Sequence, residues 1–295
     1  MAEPAVSIVV ASYGAPGSVE ACLVALADRC PEAEVVVADW TDEPTRAQIR
    51  ERWPQVKLLS FDEPMAIPEL RAAGVFASTS PVVALIEDHC LVTPAWGERL
   101  LAGHVEGHEV VGGPIRNVAT ERIRDWAAFF CEYSGVMEPM PAGRVDGLPG
   151  MNVSYGPAAR EAIDDLLREG RWENWLHPRL EDSGFELWCE PEAVVEHDKD
   201  FALGEFFSQR YHYSRSYAGM RNPELGKKRV LYALGTVVLP PLLYWRIASD
   251  VLERKQHRKE LALATPLIAA YITVWAFGEA VGYVFGGGRS LLRVR

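Results

Sequence analysis

The sequence lacks paired cysteines, a glycine-rich dinucleotide fingerprint and an excess of basic charge. Its five cysteines are widely spaced, with no Cys-X-X-Cys pair, which argues against a zinc module or a thioredoxin-type centre and favours reduced, cytosolic thiols. The absence of Gly-X-Gly-X-X-Gly argues against a dinucleotide dehydrogenase. A net charge of −11 argues against a nucleic-acid-binding protein, because neutralising phosphates requires a cationic face. The first residues are acidic rather than apolar, so no secretory signal is expected.

The net charge is distributed unevenly along the chain. Residues 226–295 contain 11 Lys and Arg against 4 Asp and Glu, a net charge of +7. The first 225 residues therefore carry a net charge of −18. Because the basic segment is also the most apolar one, we expect an acidic globular domain followed by a segment that meets an anionic membrane surface.

The first 100 residues alternate between β-branched apolar runs and segments with helical spacing of apolar residues. Strands are predicted at residues 6–11, 34–38, 56–61 and 81–86. Apolar strands joined by helices are typical of a parallel sheet covered on both faces. Polar residues follow three of these strands, at residues 12–13, 39 and 87–89. Ligands bind at the carboxyl ends of strands in such sheets, so these residues are the first candidates for a binding site.

Beyond residue 97 the alternation weakens. The patterns predict an amphipathic aromatic helix at residues 123–133, a loop rich in Pro and Gly at 139–150 and a strand at 194–197. Residues 206–220 combine aromatic and basic side chains at high density.

Two apolar stretches follow, at residues 230–247 and 261–285. A bilayer crossing needs about 20 apolar residues, so the second stretch is long enough and the first is marginal. Two crossings would place the basic connector at residues 253–260 opposite the globular domain, against the positive-inside tendency. Helices in the membrane plane avoid that conflict, and a helical hairpin buried in a soluble homodimer is the alternative. We predict two domains, residues 1–225 and 226–295.

The polar strand ends lie within three segments that read VSIVVASYG, EVVVADWTD and LRAAGVFASTSPVVALIEDHC. Their order and spacing resemble those of the family-2 glycosyltransferases over about the first 220 residues. The resemblance implies the GT-A fold, a Rossmann-like, mostly parallel mixed α/β sheet flanked by helices, here with a hydrophobic helical extension at the C-terminal end. It implies that Ser12 and Tyr13 hold the base and ribose of a nucleotide, and that Asp39 contacts the base.

The third segment resembles the family pattern in which an Arg and a Gly precede a strand that ends in Asp-X-Asp. Arg71 and Gly74 match the first part, and Glu87 stands at the first acidic position. The resemblance implies that Arg71 faces the nucleotide or its phosphates, where a forked cation is suitable. Glu87 and Asp88 are the other candidates for donor binding in this segment.

The Asp-X-Asp motif of the family chelates a divalent cation that bridges the donor diphosphate, and here it reads Glu87-Asp88-His89. Three alternatives follow: Asp88 takes over coordination, His89 ligates the metal, or the need for metal is weaker. Oxygen ligands suit Mg²⁺, whereas an imidazole ligand suits Mn²⁺. In many relatives a later His completes the site, and His197 matches that position. The resemblance thus implies Mn²⁺ or Mg²⁺, with Asp88, His89 and His197 as candidate ligands.

Two later segments resemble the acceptor side of the family's site. GRVDGLPGMNVSY resembles a loop that approaches the acceptor, with Gly150 and Asn152 as candidate residues. In RWENWLHPRLEDSG, Glu173 stands where the family has its catalytic Asp, and Trp172 precedes it on the acceptor side. An inverting transfer needs a carboxylate that removes the proton of the acceptor hydroxyl. The acidic pair at residues 181–182 is the competing candidate.

Two cations complete the candidate donor site. Lys199 follows the late strand and could meet a phosphate. Arg210 lies in QRYHY, which loosely resembles the Gln-X-X-Arg-Trp motif of processive family members. Because His212 and Tyr213 replace the Arg and Trp of that motif, we do not expect a processive polymer synthase.

Together these resemblances imply an inverting, non-processive glycosyltransferase of the hexosyltransferase type. Its donor would be a nucleotide-diphospho-sugar, with UDP favoured, and its acceptor a lipid carrier, a glycolipid or a growing cell-envelope glycan. We expect it at the cytoplasmic face of the cell membrane, peripheral or integral, without nucleic acid and with a homodimer through its C-terminal helices as one option. The alternatives are a nucleotidyltransferase of related fold and a non-catalytic, membrane-tethered sugar-nucleotide-binding protein.

Overall fold

The computed structural model describes residues 5–14 and 16–294, which separate into two compact units. Unit 1 comprises the residues up to Val118 together with Val136–Asp198, and unit 2 comprises Ala119–Gly135 together with the residues from Lys199 onward.

All strands of the described residues belong to unit 1. They are β1 (Val6–Ser12), β2 (Glu34–Asp39), β3 (Lys57–Ser60), β4 (Val82–Glu87), β5 (Cys90–Val92), β6 (Val110–Gly112), β7 (Ile115–Asn117), β8 (Gly143–Arg144), β9 (Val153–Tyr155), β10 (Leu187–Cys189) and β11 (Val195–His197).

Eight of these strands form one mixed sheet, in the order β3-β2-β1-β4-β9-β6-β10-β8. The pairs among β3, β2, β1 and β4 are parallel, whereas β9 runs antiparallel to both β4 and β6. A second, small sheet has the order β5-β11-β7. The mixed sheet with its flanking helices confirms the predicted fold class, and the four strands predicted in the first 100 residues correspond to β1 to β4.

The helices alternate with the strands in unit 1 and dominate unit 2. They are α1 (Pro16–Arg29), α2 (Glu43–Arg52), α3 (Ile67–Ala77), α4 (Trp96–Val105), α5 (Ile123–Tyr133), α6 (Pro157–Ala162), α7 (Asp164–Arg168), α8 (Glu173–Asp182), α9 (Leu203–Leu225), α10 (Arg229–Gly235), α11 (Leu239–Glu253) and α12 (Arg258–Phe285). The ends follow local chemistry: α2 begins after Asp42, whose side chain accepts the Thr45 N–H at 3.0 Å. The C-terminal apolar helices are present as predicted.

Buried apolar side chains explain why the chain folds this way in unit 1. Every residue of β1 and β4 is buried, as expected for central strands of a covered sheet. Gly74 of α3 lies so close to β1 that a Cβ atom would come within 2.2 Å of Val9 Cγ1. The glycine therefore allows α3 to pack tightly on the strands that carry the candidate site.

In unit 2, α12 packs closely along α9 through glycines. A Cβ atom on Gly278 would lie 2.0 Å from Ser214 Oγ, and one on Gly282 would lie 2.5 Å from the Arg215 carbonyl oxygen. Helix α5 also contacts α12. Because of these contacts, the predicted boundary after residue 225 falls inside unit 2, and the compact units divide the chain at other residues.

Two segments are long and apolar enough to cross a membrane, judged by length and composition. They are Leu203–Glu253, whose most apolar window is 11% buried, and Arg258–Phe285, whose window is 39% buried. Much of the apolar surface of these windows is therefore uncovered.

Candidate active site

The carboxyl ends of β1, β2 and β4 meet at one edge of the large sheet. In register, Ser12 lies beside Asp39, and Ala11 lies beside Glu87. The order of the sheet reverses at β1, between β2 and β4. Such a reversal is where doubly wound sheets bind their ligands, so the polar strand ends come together at the expected place.

Asp39 is fully buried and its carboxylate is engaged on all sides. Oδ1 accepts the Ser12 hydroxyl at 2.8 Å, and Oδ2 accepts the Arg46 Nε–H at 2.9 Å and the Thr41 N–H at 3.1 Å. Arg46 also contacts Asp62 at 2.9 Å. The hydrogen bond between Ser12 and Asp39 connects the ends of β1 and β2. A nucleotide base can bond to the Asp39 carboxylate only if one of its present hydrogen bonds is broken.

Glu87 is held between a phenol and a guanidinium. Tyr13 donates its hydroxyl to Oε2, and Arg71 donates from Nη2 to Oε1. All three residues are buried. Burial by itself would lower the pKa of Arg71, but the nearby carboxylates of Glu87 and Glu173 outweigh it and raise that pKa. The charge of Glu87 is thus neutralised inside the protein.

Asp88 fixes the turn that follows β1. Its Oδ2 accepts the backbone N–H groups of Tyr13 at 2.9 Å and of Gly14 at 2.6 Å. A Cβ atom on residue 14 would stand 2.9 Å from the same oxygen, which explains why glycine is present there. Its Oδ1 lies 3.3 Å from His89 Nδ1. Asp88 therefore orders the predicted nucleotide-binding turn and faces the imidazole of the next residue.

The predicted pair of histidines is brought together by the small sheet. The pairing of β11 with β5 places His197 beside Cys90, and the rings of His89 and His197 meet edge to face with centroids 4.8 Å apart. His89 also lines a cavity of about 150 Å³ with Gly17 of α1 and Asp198. Its Nε2 atom is buried, makes no hydrogen bond within the described residues and lies 3.5 Å from Glu87 Oε2.

This donor set can be compared with the needs of a metal. Across residues 5–14 and 16–294, no group of three or more His, Cys, Asp or Glu side chains is arranged to hold a metal ion. The contact between His89 Nδ1 and Asp88 favours a hydrogen on Nδ1, which leaves a lone pair on Nε2. Imidazole nitrogens next to carboxylates suit Mn²⁺ better than Mg²⁺. Asp88 is thus placed to orient His89, and direct coordination of a metal by Asp88 stays a prediction.

The predicted base joins the same network through Arg71. Glu173 is the first residue of α8, and its Oε2 lies 3.2 Å from Arg71 Nη1. A Cβ atom on Gly150 would come within 2.5 Å of both of these atoms, so this glycine makes room for the contact. Trp172 caps the helix, with its ring centroid 5.6 Å from the Arg71 guanidinium. One cation therefore bridges the candidate donor carboxylate, Glu87, and the candidate base.

A buried polar pair lies behind this bridge. Tyr155 Oη lies 3.1 Å from His177 Nε2, and both residues are buried. Burial, helped by the positive charge of Arg71, lowers the pKa of His177 to about 4. His177 is therefore neutral at pH 7 and adds no second cation beside Arg71.

Asn152 has a structural position at the centre of unit 1. It is fully buried, its Oδ1 accepts the Trp96 indole N–H at 2.7 Å, and its Nδ2 donates to the carbonyls of Pro114 and Ala193 at 3.1 and 2.8 Å. These bonds tie α4 to the segments around β7 and β11. The predicted role of Asn152 towards an acceptor is thus accompanied by a clear role in folding.

Lys199 and Arg210 belong to unit 2, whereas the other predicted site residues belong to unit 1. Lys199 Nζ lies 4.9 Å from the centroid of the Phe201 ring. Arg210 is buried, forms an ion pair with Glu132 and lies 5.3 Å from the Trp275 ring. Phosphate binding by these two cations stays a prediction.

Sequence reasoning missed Arg46 and the pair of Tyr155 and His177. A cation soon after a strand-end carboxylate was an available signal for Arg46. The contact of Tyr155 with His177 joins residues 22 positions apart in different elements, and no local pattern marks it.

Comparisons with known proteins agree with this geometry. The sequence model for glycosyl transferase family 2 matches residues 7–150. No curated protein is significantly similar to the sequence. The structure is similar to the mannosyltransferase PcManGT from Pyrobaculum calidifontis, solved in complex with GDP-Man and Mn²⁺, with 16% identity, a TM-score of 0.54 and coverage of 96% of this chain and 88% of that one. It is also similar to residues 1–349 of TarS from S. aureus, with 12% identity, a TM-score of 0.51 and coverage of 94% and 90%.

At these identities the two structures support the fold alone. The family match covers β1 to β4 and reaches Gly150, so it includes the strand ends, Arg71 and the Glu87-Asp88-His89 motif. Fold and family match agree with the resemblance seen in the sequence. The chain is a glycosyltransferase of the GT-A fold, and its residues 7–150 match the sequence model of glycosyl transferase family 2.

Proposed function

We propose that the protein transfers one sugar, with inversion, from a nucleotide-diphospho-sugar to an acceptor at a membrane surface. The observation that carries the proposal is the bridge formed by Arg71, which bonds Glu87 at the donor end of the sheet and Glu173 at the start of α8. A transferase must hold its donor and its base in a fixed relation. A single guanidinium bonded to both carboxylates supports such a relation.

Glu173 is the proposed catalytic base. The acceptor hydroxyl oxygen attacks the anomeric carbon while its proton passes to Glu173. The bond between that carbon and the diphosphate oxygen breaks, and its electron pair leaves with the nucleotide diphosphate. The side chain of Glu173 is 22% exposed, so an acceptor can reach it, and Arg71 fixes the direction of its carboxylate.

The donor is proposed to lie at the turn that Asp88 holds. Ser12 and Tyr13 are there, and the internal bonds of Asp39 shape the neighbouring end of β2. UDP is the favoured nucleotide, and the GDP-Man bound to the similar mannosyltransferase makes GDP the second nucleotide to test.

A divalent ion is the proposed cofactor. When bound, it would neutralise charge on the leaving diphosphate. His89 and His197 would hold it, and Asp88 would orient His89. Mn²⁺ is proposed ahead of Mg²⁺ because of the imidazole donors and because the similar mannosyltransferase was solved with Mn²⁺.

Unit 2 is proposed to lie in the plane of the cytoplasmic leaflet and to bring the enzyme to a lipid carrier, glycolipid or growing envelope glycan. Its helices expose large apolar side chains, such as Val237 at 80% and Trp245 at 66%. Helix α12 packs along α9, which carries Arg210, Arg215 and Arg221. A crossing by α12 together with α9 would take these cations into hydrocarbon, which is costly, so an in-plane arrangement is favoured.

The direct test is a panel of UDP- and GDP-hexoses added to the full chain with Mn²⁺ or Mg²⁺. We expect one donor to raise the midpoint of thermal unfolding, because a ligand that binds only the folded state stabilises it. The same donor should release its nucleotide diphosphate slowly alone and faster with a membrane lipid extract. Donor binding without any release would instead indicate a non-catalytic sugar-nucleotide-binding protein.

The proposed role of His89 as a metal ligand is tested by comparing two histidine substitutions. We expect His89→Ala to abolish the effect of Mn²⁺ on donor binding. The control is His108→Ala, because His108 stacks on Trp188 away from the strand ends. Equal Mn²⁺ dependence in both variants would contradict the assignment.

A further inference from the structure

Unit 2 contains a cavity of about 410 Å³ that the transfer reaction does not use. Leu231, Tyr232 and Leu239 line it on one side, and Arg221, Glu279 and Tyr283 contribute its polar groups. Its volume lies within the range of small-molecule sites. All of its lining residues belong to unit 2.

Arg221 is the group in this cavity that points to a ligand. Its guanidinium lies 5.5 Å and 5.1 Å from the rings of Tyr217 and Tyr232, and it donates to Tyr283 Oη at 2.9 Å. None of the ion pairs found among residues 5–14 and 16–294 includes it. The Glu279 carboxylate is close enough to help raise the pKa of Arg221, but it forms no ion pair with it. A guanidinium among aromatic rings that is not in an ion pair is suited to an anion, above all a phosphate.

Glu279 also lines the cavity, but its carboxylate is already engaged. It is 7% exposed, and its Oε1 accepts the Trp275 indole N–H at 2.6 Å. The carboxylate of Glu279 is thus hydrogen-bonded within the protein, whereas the half-buried guanidinium of Arg221 keeps N–H groups available for a ligand.

The surface around the cavity is apolar and basic. Val230, Leu231, Leu234 and Val237 are between 61% and 80% exposed. Residues 221–239 contain four Lys and Arg but one Glu. An anionic headgroup with an apolar chain matches both properties, whereas a free inorganic anion matches one of them.

We propose that this cavity binds one anionic phospholipid, with its phosphate on Arg221 and an acyl chain along Leu231, Tyr232 and Leu239. The inference rests on the proposed location of unit 2 at a leaflet. It adds a defined lipid site to a general attraction between a basic surface and a membrane. Such a site would fix how unit 2 is seated on the leaflet.

Two substitutions in the cavity, each with a control substitution outside it, test whether the cavity itself binds the lipid. Arg221→Gln removes the cation, and Arg229→Gln removes an exposed cation of the same segment as its control. Gly235→Leu fills the cavity, because a Cβ atom on Gly235 meets nothing within 4 Å. Gly204→Leu is its control, since a Cβ atom there also meets nothing within 4 Å and Gly204 lies outside the cavity lining. Both substitutions of glycine also favour a helix.

The experiment is native mass spectrometry of the full chain in a neutral detergent, with phosphatidylglycerol or diacylglycerol added. We expect one phosphatidylglycerol per chain and at least about tenfold weaker retention of diacylglycerol, which lacks the phosphate, the factor expected from losing one charge-assisted contact. Arg221→Gln and Gly235→Leu should each lose retention by about tenfold, while Arg229→Gln and Gly204→Leu keep it. Equal retention of the two lipids, or full retention by Arg221→Gln and Gly235→Leu, would overturn the proposal.

Two further experiments, phosphate competition and vesicle flotation, show which part of the proposal is wrong if lipid binding is not observed as expected. Inorganic phosphate should not displace the lipid, and complete displacement would show a simple anion site and contradict the apolar half of the proposal. Flotation with phosphatidylglycerol vesicles tests the proposed membrane location by itself. A chain that floats but retains no lipid contradicts the cavity alone, whereas a chain that retains lipid but does not float contradicts the membrane location alone.

Discussion

Replacing Arg71 by Met tests whether the bridge between the two candidate site carboxylates organises unit 1. Methionine keeps the apolar stem of the side chain but removes the cation. In the variant, Glu87 keeps the Tyr13 hydroxyl but loses its cationic partner, and Glu173 loses its contact at 3.2 Å. The change therefore leaves a buried carboxylate without a neutralising charge.

The size of the effect follows from the burial of the two partners. Removing one member of a buried ion pair costs about 3–5 kcal/mol of unfolding free energy, because the remaining charge stays desolvated. Glu87 is 7% exposed and meets most of this penalty, whereas Glu173 is 22% exposed and is partly solvated. We therefore expect a loss near the lower limit, about 3 kcal/mol. Arg71→Lys should recover part of it, since an ammonium group can reach one carboxylate but does not reproduce the fork.

Urea unfolding of unit 1 measures this loss. The control is Arg168→Met, which breaks an exposed pair with Asp164 and should cost about 0.5 kcal/mol or less. Adding Glu87→Gln to Arg71→Met should recover more than about 1 kcal/mol relative to the sum of the single changes. A loss for Arg71→Met no larger than that of Arg168→Met, or strict additivity in the double variant, would refute the reasoning.

Three further predictions concern neighbouring groups. Because burial lowers the pKa of His177 to about 4, its stabilising effect is complete above pH 6.5 and is lost as the pH falls towards 4; His177→Gln should remove about 3 kcal/mol of this pH dependence in urea unfolding, and His108→Gln should leave it intact. Gly150→Ala should lower the transfer rate at least about tenfold, because the added methyl group displaces the base and its partner, whereas Gly147→Ala, which meets nothing within 4 Å, should not change it. Asn152→Leu should cost about 3 kcal/mol or more in thermal or urea unfolding, since its buried hydrogen-bond partners are left unsatisfied; a loss below about 1 kcal/mol would contradict its structural role.

The parts of the fold that the sequence predicted are those that local patterns determine. Strands β1, β2 and β4 are largely apolar runs between turn residues, and β3 lies within the predicted range 56–61. Helix α5 has the predicted bounds Ile123–Tyr133 because its apolar face is regular. The three-residue strands β9 and β10 went unrecognised, because they contain one β-branched residue and none, whereas the paired valines at 194–195 indicated the equally short β11. Helix α8 was recognised as a motif but not as a helix, since it contains Pro178 and has little apolar character.

In the candidate site, too, the sequence predicted the positions of residues but not their contacts. The register of parallel strands brings Ser12, Asp39 and Glu87 together, and the position of each at a strand end was readable from the sequence. What each side chain contacts depends on tertiary partners. The bridge from Arg71 to Glu173 joins residues 102 positions apart, and local patterning does not encode such a contact.

Transfer by Glu173→Gln is the measurement that tests the central claim most directly. Glutamine keeps the size of the side chain and can accept a hydrogen bond from Arg71, but it cannot take the acceptor proton. With the donor and acceptor identified from the panel, we expect the single-turnover rate to fall at least about 100-fold while donor affinity stays within about threefold, because general-base catalysis contributes 10²–10⁴-fold. Glu181→Gln, at the exposed end of α8, should transfer at the wild-type rate. An unchanged rate in Glu173→Gln, or a comparable loss in Glu181→Gln, would contradict the assignment of the base.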